Sequence, residues 1–448
     1  MTKKAPRRTN STPKPAPTPL PTEDAIALAF ADYFYSGLRF NHDSGKWLRW
    51  GGEGNNGQGT HWKLDSTRLA FNWCRGMCRD HNPNGKASLG KASTAAGVEK
   101  MAQADPRLAT TAKIWDADPL LLGTPGGTVE LATGQIREAD KDDFITKITA
   151  TAPADTECCP QWHNFLREAT AGDVDVIRFL RQFAGYCLSG LTTEHILLFV
   201  YGPGGNGKSV FLNTLTSILG DYSATAAFET FAASKWDRHP TDLAMLKGAR
   251  LVTVSETTEG RAWDETRVKQ LTGGDSITAR HMRQDFFTFK PQFKLIIVGN
   301  HKPVLRNVDE AMRRRLRLVP FLHKPEVPDK NLEQKLRAEF PGILRWMVNG
   351  FYDWKKNGLI SPAAVGRETK AYFDNQDSFG QWLAECCQTG TGEAGAKSLY
   401  ESWKNFNDGR GEKSGNMNRF ASLLEKAGFN REKKRTGNFY SGIELLKA

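Results

Sequence analysis

Between residues 196 and 321 the chain alternates short, continuously apolar runs with stretches of helical period. ILLFVY at 196–201, RLVTV at 250–254, KLIIVG at 294–299 and LVPF at 318–321 lack the in–out alternation of a half-exposed strand. They predict buried strands in a layered α/β fold, and VFLNTLTSIL at 210–219 predicts the helix after the first of them. Upstream, CPQWHNFLREATAGDVDVIRFLRQFAGYCLSGL predicts two amphipathic helices. The second opens at Asp173, a capping residue, with Ile177, Leu180, Phe183 and Ala184 on one face. AIALAFADYFYSGLRF at 25–40 predicts a further helix, KWLRW and THWKL short strands, residues 66–114 helices, and LLLGTPGGTVELATGQIRE a hairpin segment bending at Gly126–Gly127 and Gly134. Trp47, Trp50 and Trp62 are expected to form a small core in preference to a base-stacking surface. The text turns helical again after about residue 345. It ends in two helices at 399–410 and 416–429 and a hairpin at 430–446 with Gly437 near its turn.

One segment carries recognisable chemistry. Gly202-Pro203-Gly204-Gly205-Asn206-Gly207-Lys208-Ser209 satisfies G-x-x-x-x-G-K-[ST] between the first apolar run and its helix. Glycines let backbone N–H groups turn toward a β-phosphate, and the helix start adds partial positive charge. Lys208 then reaches the β- and γ-phosphates and Ser209 a Mg²⁺ ion. A carboxylate is needed beside such a site. Glu256, at the end of the RLVTVSE run, and Asn300, after KLIIVG, are the strand-end residues that would face it. Arg313, Arg314, Arg315 and Arg317 crowd into five positions beside LVPF. Such a cluster is a solvated or acid-paired patch, or it meets an anion as an arginine finger does.

Composition adds less. At 448 residues and 39% hydrophobic the chain predicts two or three domains, divided as 1–22 (a Pro-rich basic tail), 23–150, 151–345 and 346–448. No apolar run reaches membrane-spanning length, and the start lacks the apolar core of a secretory signal. Net charge of +11 favours a polyanionic partner. Seven cysteines without zinc-ligand spacing predict reduced thiols in a cytoplasm-like compartment.

GPGGNGKSVFLNTLTSILGDY, DLAMLKGARLVTVSETTEG, VKQLTGGDSITARHMR, FKPQFKLIIVGNHKP and DEAMRRRLRLVPF, in that order, resemble the helicase portion of phage and plasmid primase–helicases, the poxvirus type within superfamily 3 of the AAA+ ATPases. The likeness covers most of residues 120–330. It implies an AAA+ P-loop ATPase core, an α+β amino-terminal region, a winged-helix-like carboxyl-terminal domain and a ring, usually a hexamer, with ATP and Mg²⁺ bound between subunits. By motif, Lys208 and Ser209 match the Walker A pair, Glu256 the Walker B acid, Asn300 sensor 1, and Arg314 or Arg315 a finger acting in trans. Ser255 stands where many relatives have a second acid. Lys269–Asp275 matches the motif before the channel hairpin, which puts Arg280, His281 and Arg283 near its tip, on a nucleic-acid backbone. In the carboxyl-terminal hairpin Arg431, Lys433, Lys434 and Arg435 would form a DNA-contacting wing, with Asn418 or Arg419 on the recognition helix.

These residues together predict an ATP-driven DNA helicase or translocase of a phage, prophage or plasmid in a bacterial host cytoplasm, and the resemblance implies 3′ to 5′ movement. No acidic pair in strand context precedes the core, so a primase or polymerase is expected from a separate polypeptide. The alternatives are a non-unwinding AAA+ initiator or helicase loader, a nucleotide-dependent assembly protein, and RNA in place of DNA.

Overall fold

In the computed structural model, residues 21–51, 59–233, 241–255, 262–280, 282, 285–302, 304–305, 309–410 and 414–446 are described. Glu256, His281, Arg283 and nearly all of the basic tail lie outside them. The chain forms two compact units, one of residues 1–117 with 125–127 and 138–147, the other of 118–124, 128–137 and 148–448.

In the first unit α1 (Glu23–Phe34), α2 (Leu69–Asp80) and α3 (Ala92–Gln103) accompany a sheet of order β3-β2-β1-β4. Its strands are β1 (Leu38–Asn41), β2 (Lys46–Trp50), β3 (Trp62–Leu64) and β4 (Ala109–Thr110). The expected helix over 25–40 therefore stops early. Its last residues, Leu38–Phe40, cross the turn at Gly37 and pair with β2, where Phe40 lies opposite Trp47. Strand pairing outweighs a local helical pattern here. Trp47 and Trp62 are buried as expected, while Trp50 is half-buried with its ring 5.8 Å from that of Trp62.

The second unit opens with a small sheet of β5 (Leu121–Thr124), β6 (Gly127–Glu130) and β7 (Gln135–Arg137). The helices α4 (Pro160–Ala169) and α5 (Val174–Tyr186) follow, and Asp173 caps α5 by accepting from Asp175 and Val176. Next come β8 (Leu197–Tyr201), α6 (Lys208–Leu219), β9 (Ser223–Thr225), α7 (Thr241–Ala244), β10 (Leu251–Val254) and α8 (Glu265–Thr272). A hairpin of β11 (Ile277–Arg280) and β12 (Phe286–Phe289) leads to β13 (Lys294–Gly299), α9 (Glu310–Arg315) and β14 (Leu316–Pro320). The central sheet has order β14-β8-β13-β10-β9 with every pair parallel. Successive β8 residues feed opposite cores: Leu198 and Val200 join one, Leu197 and Phe199 the other. A strand covered on both faces must be apolar throughout, which is why period two is invisible in its sequence.

Beyond the sheet lie α10 (Leu332–Ala338), α11 (Phe340–Asn357), α12 (Ala363–Gln376) and α13 (Ser378–Cys386). The chain closes with β15 (Cys387–Gly395), α14 (Ala396–Gly409), α15 (Met417–Lys426), β16 (Asn430–Lys434) and β17 (Gly437–Leu445). The expected terminal helices and hairpin are present, but β15 was not expected. Its CQTGTGEAG text has no strand pattern, and pairing with β17 is what makes it one. All seven cysteines are free, and no helix among the described residues is long and apolar enough to cross a membrane.

Candidate functional site

Sheet register assembles the site. Gly299 pairs with Tyr201 and Pro320 pairs with Tyr201 on its other side. The next residues, Asn300 and Phe321, therefore flank Gly202 at the carboxyl end of β8, where open parallel sheets bind their ligands. The 202–208 loop then turns into α6. Gly207 has φ of 82°, and a Cβ there would lie 2.6 Å from Phe165 Cε2 of α4. The side chain of α4 thus reaches the bare backbone only because position 207 is glycine.

Lys208 is 8% exposed and donates from Nζ to the carbonyls of Gly202 and Pro203 at 2.7 and 3.1 Å, and to Asn206 Oδ1 at 2.8 Å. Burial pushes its ammonium pKa below the ordinary lysine value. Asn206 is also buried, and its amide donates to the Phe321 carbonyl. Ser209, one residue into the helix, is exposed, as are Pro203, Gly204 and Gly205. Gly204–Val210, Asn300 and the 323–332 segment line a cavity of about 550 Å³ together with α4. Its lining includes apolar Phe165, Ala169, Val327, Pro328 and Leu332 beside polar Asn164 and Glu168. Asn300 also borders a second recess of about 700 Å³, with Tyr201, Pro203, Lys302 and Leu322.

A glycine loop with a buried lysine, an exposed helix-start hydroxyl and an adjoining apolar cavity fits a phosphorylated nucleotide. Polyphosphate oxygens can replace the loop carbonyls as partners of Lys208, and the cavity can take a base. Strand β10 ends at Val254, and Ser255 after it is exposed.

The four arginines do not act as one patch. Arg313 faces acids on and beside α12, 3.9 Å from Asp374 and 3.6 Å from Asp377, with its guanidinium over Phe373. Arg315 is half-buried, donates back to the Ala311 carbonyl at 3.0 Å, and leaves a buried Nε without a partner. Arg317 turns onto the carbonyls of Arg313, Arg314 and Leu316, and burial lowers its pKa. Arg314 is exposed, and its guanidinium has no hydrogen bond or ion pair among the described residues. The helical period of α9 separates neighbours in sequence onto different faces.

The expected nucleic-acid residues are elsewhere in the fold. Arg280 ends β11 with its guanidinium 4.8 Å from the ring of Phe286, and Phe286 and Met282 are exposed beside it. Arg431, Lys433 and Lys434 lie along the exposed strand β16, and Arg435 sits in its turn. Asn418 and Arg419 are exposed on α15. Lys434 is paired with Glu393. Phe165, Phe321, Glu168 and the 323–332 segment were missed by the sequence reading. They lie 30 or more residues from the motif, and only the fold brings them to it.

Residues 27–171 match the family described as "D5 N terminal like", and residues 200–315 match a family of unknown function (DUF5906). A provisionally named helicase of Acanthamoeba polyphaga mimivirus is 28% identical over 295 residues, 60% of this chain and 31% of that protein. A provisionally named helicase of Frog virus 3 is 26% identical over 231 residues, 46% of this chain and 23% of that one. A provisionally named primase of African swine fever virus is 25% identical over 217 residues, 43% of this chain and 22% of its own. The chain thus spans less than a third of the length of these relatives. In fold it resembles the apo C-terminal region (305–718) of NrS-1, with a TM-score of 0.57 at 11% identity, over 93% of this chain and 98% of that one.

The chain is a mixed α/β protein with a parallel sheet, similar over part of its length to viral proteins provisionally named as helicases or primases. These matches make the chain similar to the phage and viral primase–helicase family. The amino-terminal match reaches back to residue 27, well before the segment that carried the resemblance in sequence.

Proposed function

We propose that this chain is an ATP-dependent DNA helicase or translocase of superfamily 3, an AAA+ P-loop ATPase working as a homo-hexameric ring with 3′ to 5′ polarity. The observation that carries this reading is Lys208, buried against the carbonyls of its own glycine loop beside Asn300. In this reading residues 202–209 hold the ATP phosphates, and Ser209 with Glu256 holds Mg²⁺. The bound ion would neutralise phosphate charge. Asn300 orients the attacking water, Glu256 takes its proton, and Arg314 of a second copy stabilises the developing charge. Of the two candidate fingers, the unpaired Arg314 supports this role better than Arg315, which is held within its own helix.

The β11–β12 hairpin, with Arg280, His281 and Arg283, would contact one strand in the ring channel. The α14–β17 region would be a winged helix with β16 and Arg435 as its wing, on duplex DNA. A separate primase or polymerase would be the working partner.

Strand displacement on forks with 3′ or 5′ tails tests the reading. Wild type should unwind the 3′-tailed fork with ATP, and Lys208→Ala should not. ATP-dependent DNA binding without unwinding would identify an initiator or loader instead. Displacement that proceeds equally with Lys208→Ala would overturn the ATP-site assignment.

A further inference from the structure

Asn206 ties two parts of the site together. Its carbonyl oxygen accepts from Lys208, and its amide donates to the carbonyl of Phe321, whose own N–H donates to Tyr201 at 2.8 Å. The exit from β14 is therefore pinned to the loop, and Lys324 emerges three residues on. A Cβ built on Gly205 would meet Lys324 Cε at 3.4 Å and Cδ and Cγ at 4.0 Å. The lysine stem lies along bare loop backbone, and Gly205 has φ of 81°, a conformation suited to glycine. Lys324 is exposed, and its ammonium makes no hydrogen bond or ion pair among the described residues. Its neighbours His323 and Pro325 line the same cavity as Lys208.

Another lysine near the loop is committed elsewhere. Lys302 Nζ lies 3.3 Å from Glu368 Oε2 and 4.1 Å from the Tyr201 ring centroid, so its charge is matched. Lys324 has no such match, and a bound polyphosphate would bring several negative charges against the one lysine of the motif. We infer that Lys324 is a second cation of the same chain for the phosphates of the bound nucleotide, acting from the solvent side of Gly205. This rests on the ATP-binding reading of the loop.

The test is calorimetric binding of Mg-ATP, Mg-ADP and adenosine to the full chain over a series of salt concentrations. Lys324→Met keeps an unbranched stem on Gly205 and removes the charge; Lys324→Arg restores the charge, and Lys208→Ala is the control. Lys324→Met should bind ATP and ADP about tenfold more weakly, as expected for one part-exposed charge-assisted contact. Its affinity should also depend less on salt, with adenosine binding and the thermal midpoint unchanged. The arginine variant should bind like wild type. Wild-type affinity and salt dependence in Lys324→Met would overturn the inference, and so would an equal loss of adenosine binding, which would mark a packing role. If Lys208→Ala loses ATP binding while Lys324→Met does not, only this inference falls. If wild type binds no nucleotide, or Lys208→Ala binds it normally, the ATP reading itself falls.

Discussion

Lys269 Nζ lies 2.5 Å from Asp309 Oδ2, joining α8, which leads into the β11–β12 hairpin, to the capping residue of the arginine helix α9. Asp309 does double duty, because its Oδ1 also caps α9 by accepting from Met312 N–H at 2.9 Å. Burial would raise its pKa, but the bonds from Lys269 and Met312 outweigh that and hold it below the usual carboxylate value. Asp309→Asn keeps a capping oxygen and removes the ion pair; Asp309→Ala removes both. The alanine variant should lose about 1–2 kcal/mol in urea unfolding and the asparagine variant less than about 1 kcal/mol, the pair being part-exposed. Equal losses would mean that the cap contributes nothing.

The two candidate finger residues should now behave differently. Arg314→Ala should leave the unfolding midpoint and ATP affinity unchanged while reducing hydrolysis by about 10³-fold or more. Mixing it with Lys208→Ala protein should recover activity, because some interfaces then pair an intact loop with an intact Arg314. Arg315→Ala should instead change stability, since that side chain packs inside its own unit. No recovery despite proven subunit exchange would refute action in trans.

Gly207→Ala places a methyl group 2.6 Å from the Phe165 ring in a left-handed conformation. We expect a loss of about 1–3 kcal/mol in stability and more than tenfold in ATP affinity. Phe165→Ala in the same chain should relieve the clash and part of the binding defect, which titration with a fluorescent nucleotide would reveal.

Acid sensitivity should trace to an ion pair between α5 and α11. Arg178 on α5 donates from Nε and Nη2 to Asp353 on α11, both at 2.8 Å, and this bond holds the Asp353 carboxyl down at about 2. Its folded pKa lies below the unfolded value of about 3.9. The stabilisation is thus complete above about pH 5, shrinks below about pH 4 and is lost as pH falls through about 2. Asp353→Asn should lower the urea midpoint clearly at pH 7 and far less near pH 2. A constant difference at both pH values would refute the linkage.

The parts of this protein that sequence alone determined are those set by near neighbours. The glycine loop, the strand before it and the helix after it are contiguous, and Asp173 caps α5 through its own side chain. The buried strands were recognisable because burial on both faces demands unbroken apolar text. Other features depended on which segments the fold sets side by side. Leu38–Phe40 became strand because β2 lay alongside, and the Gly-rich β15 because β17 did. Which arginine stands free was equally beyond sequence, since Arg313 meets its acids some 60 positions away and Arg315 bends onto its own helix. Asn206 was visible as a loop residue, but its amide contact with Phe321, and the lysine that contact brings over Gly205, required β14 to pair beside β8. Local chemistry is written in adjacent residues; the company those residues keep is set by strand order and packing, which join positions as near as Phe40 and Trp47 or as far apart as Asn206 and Phe321.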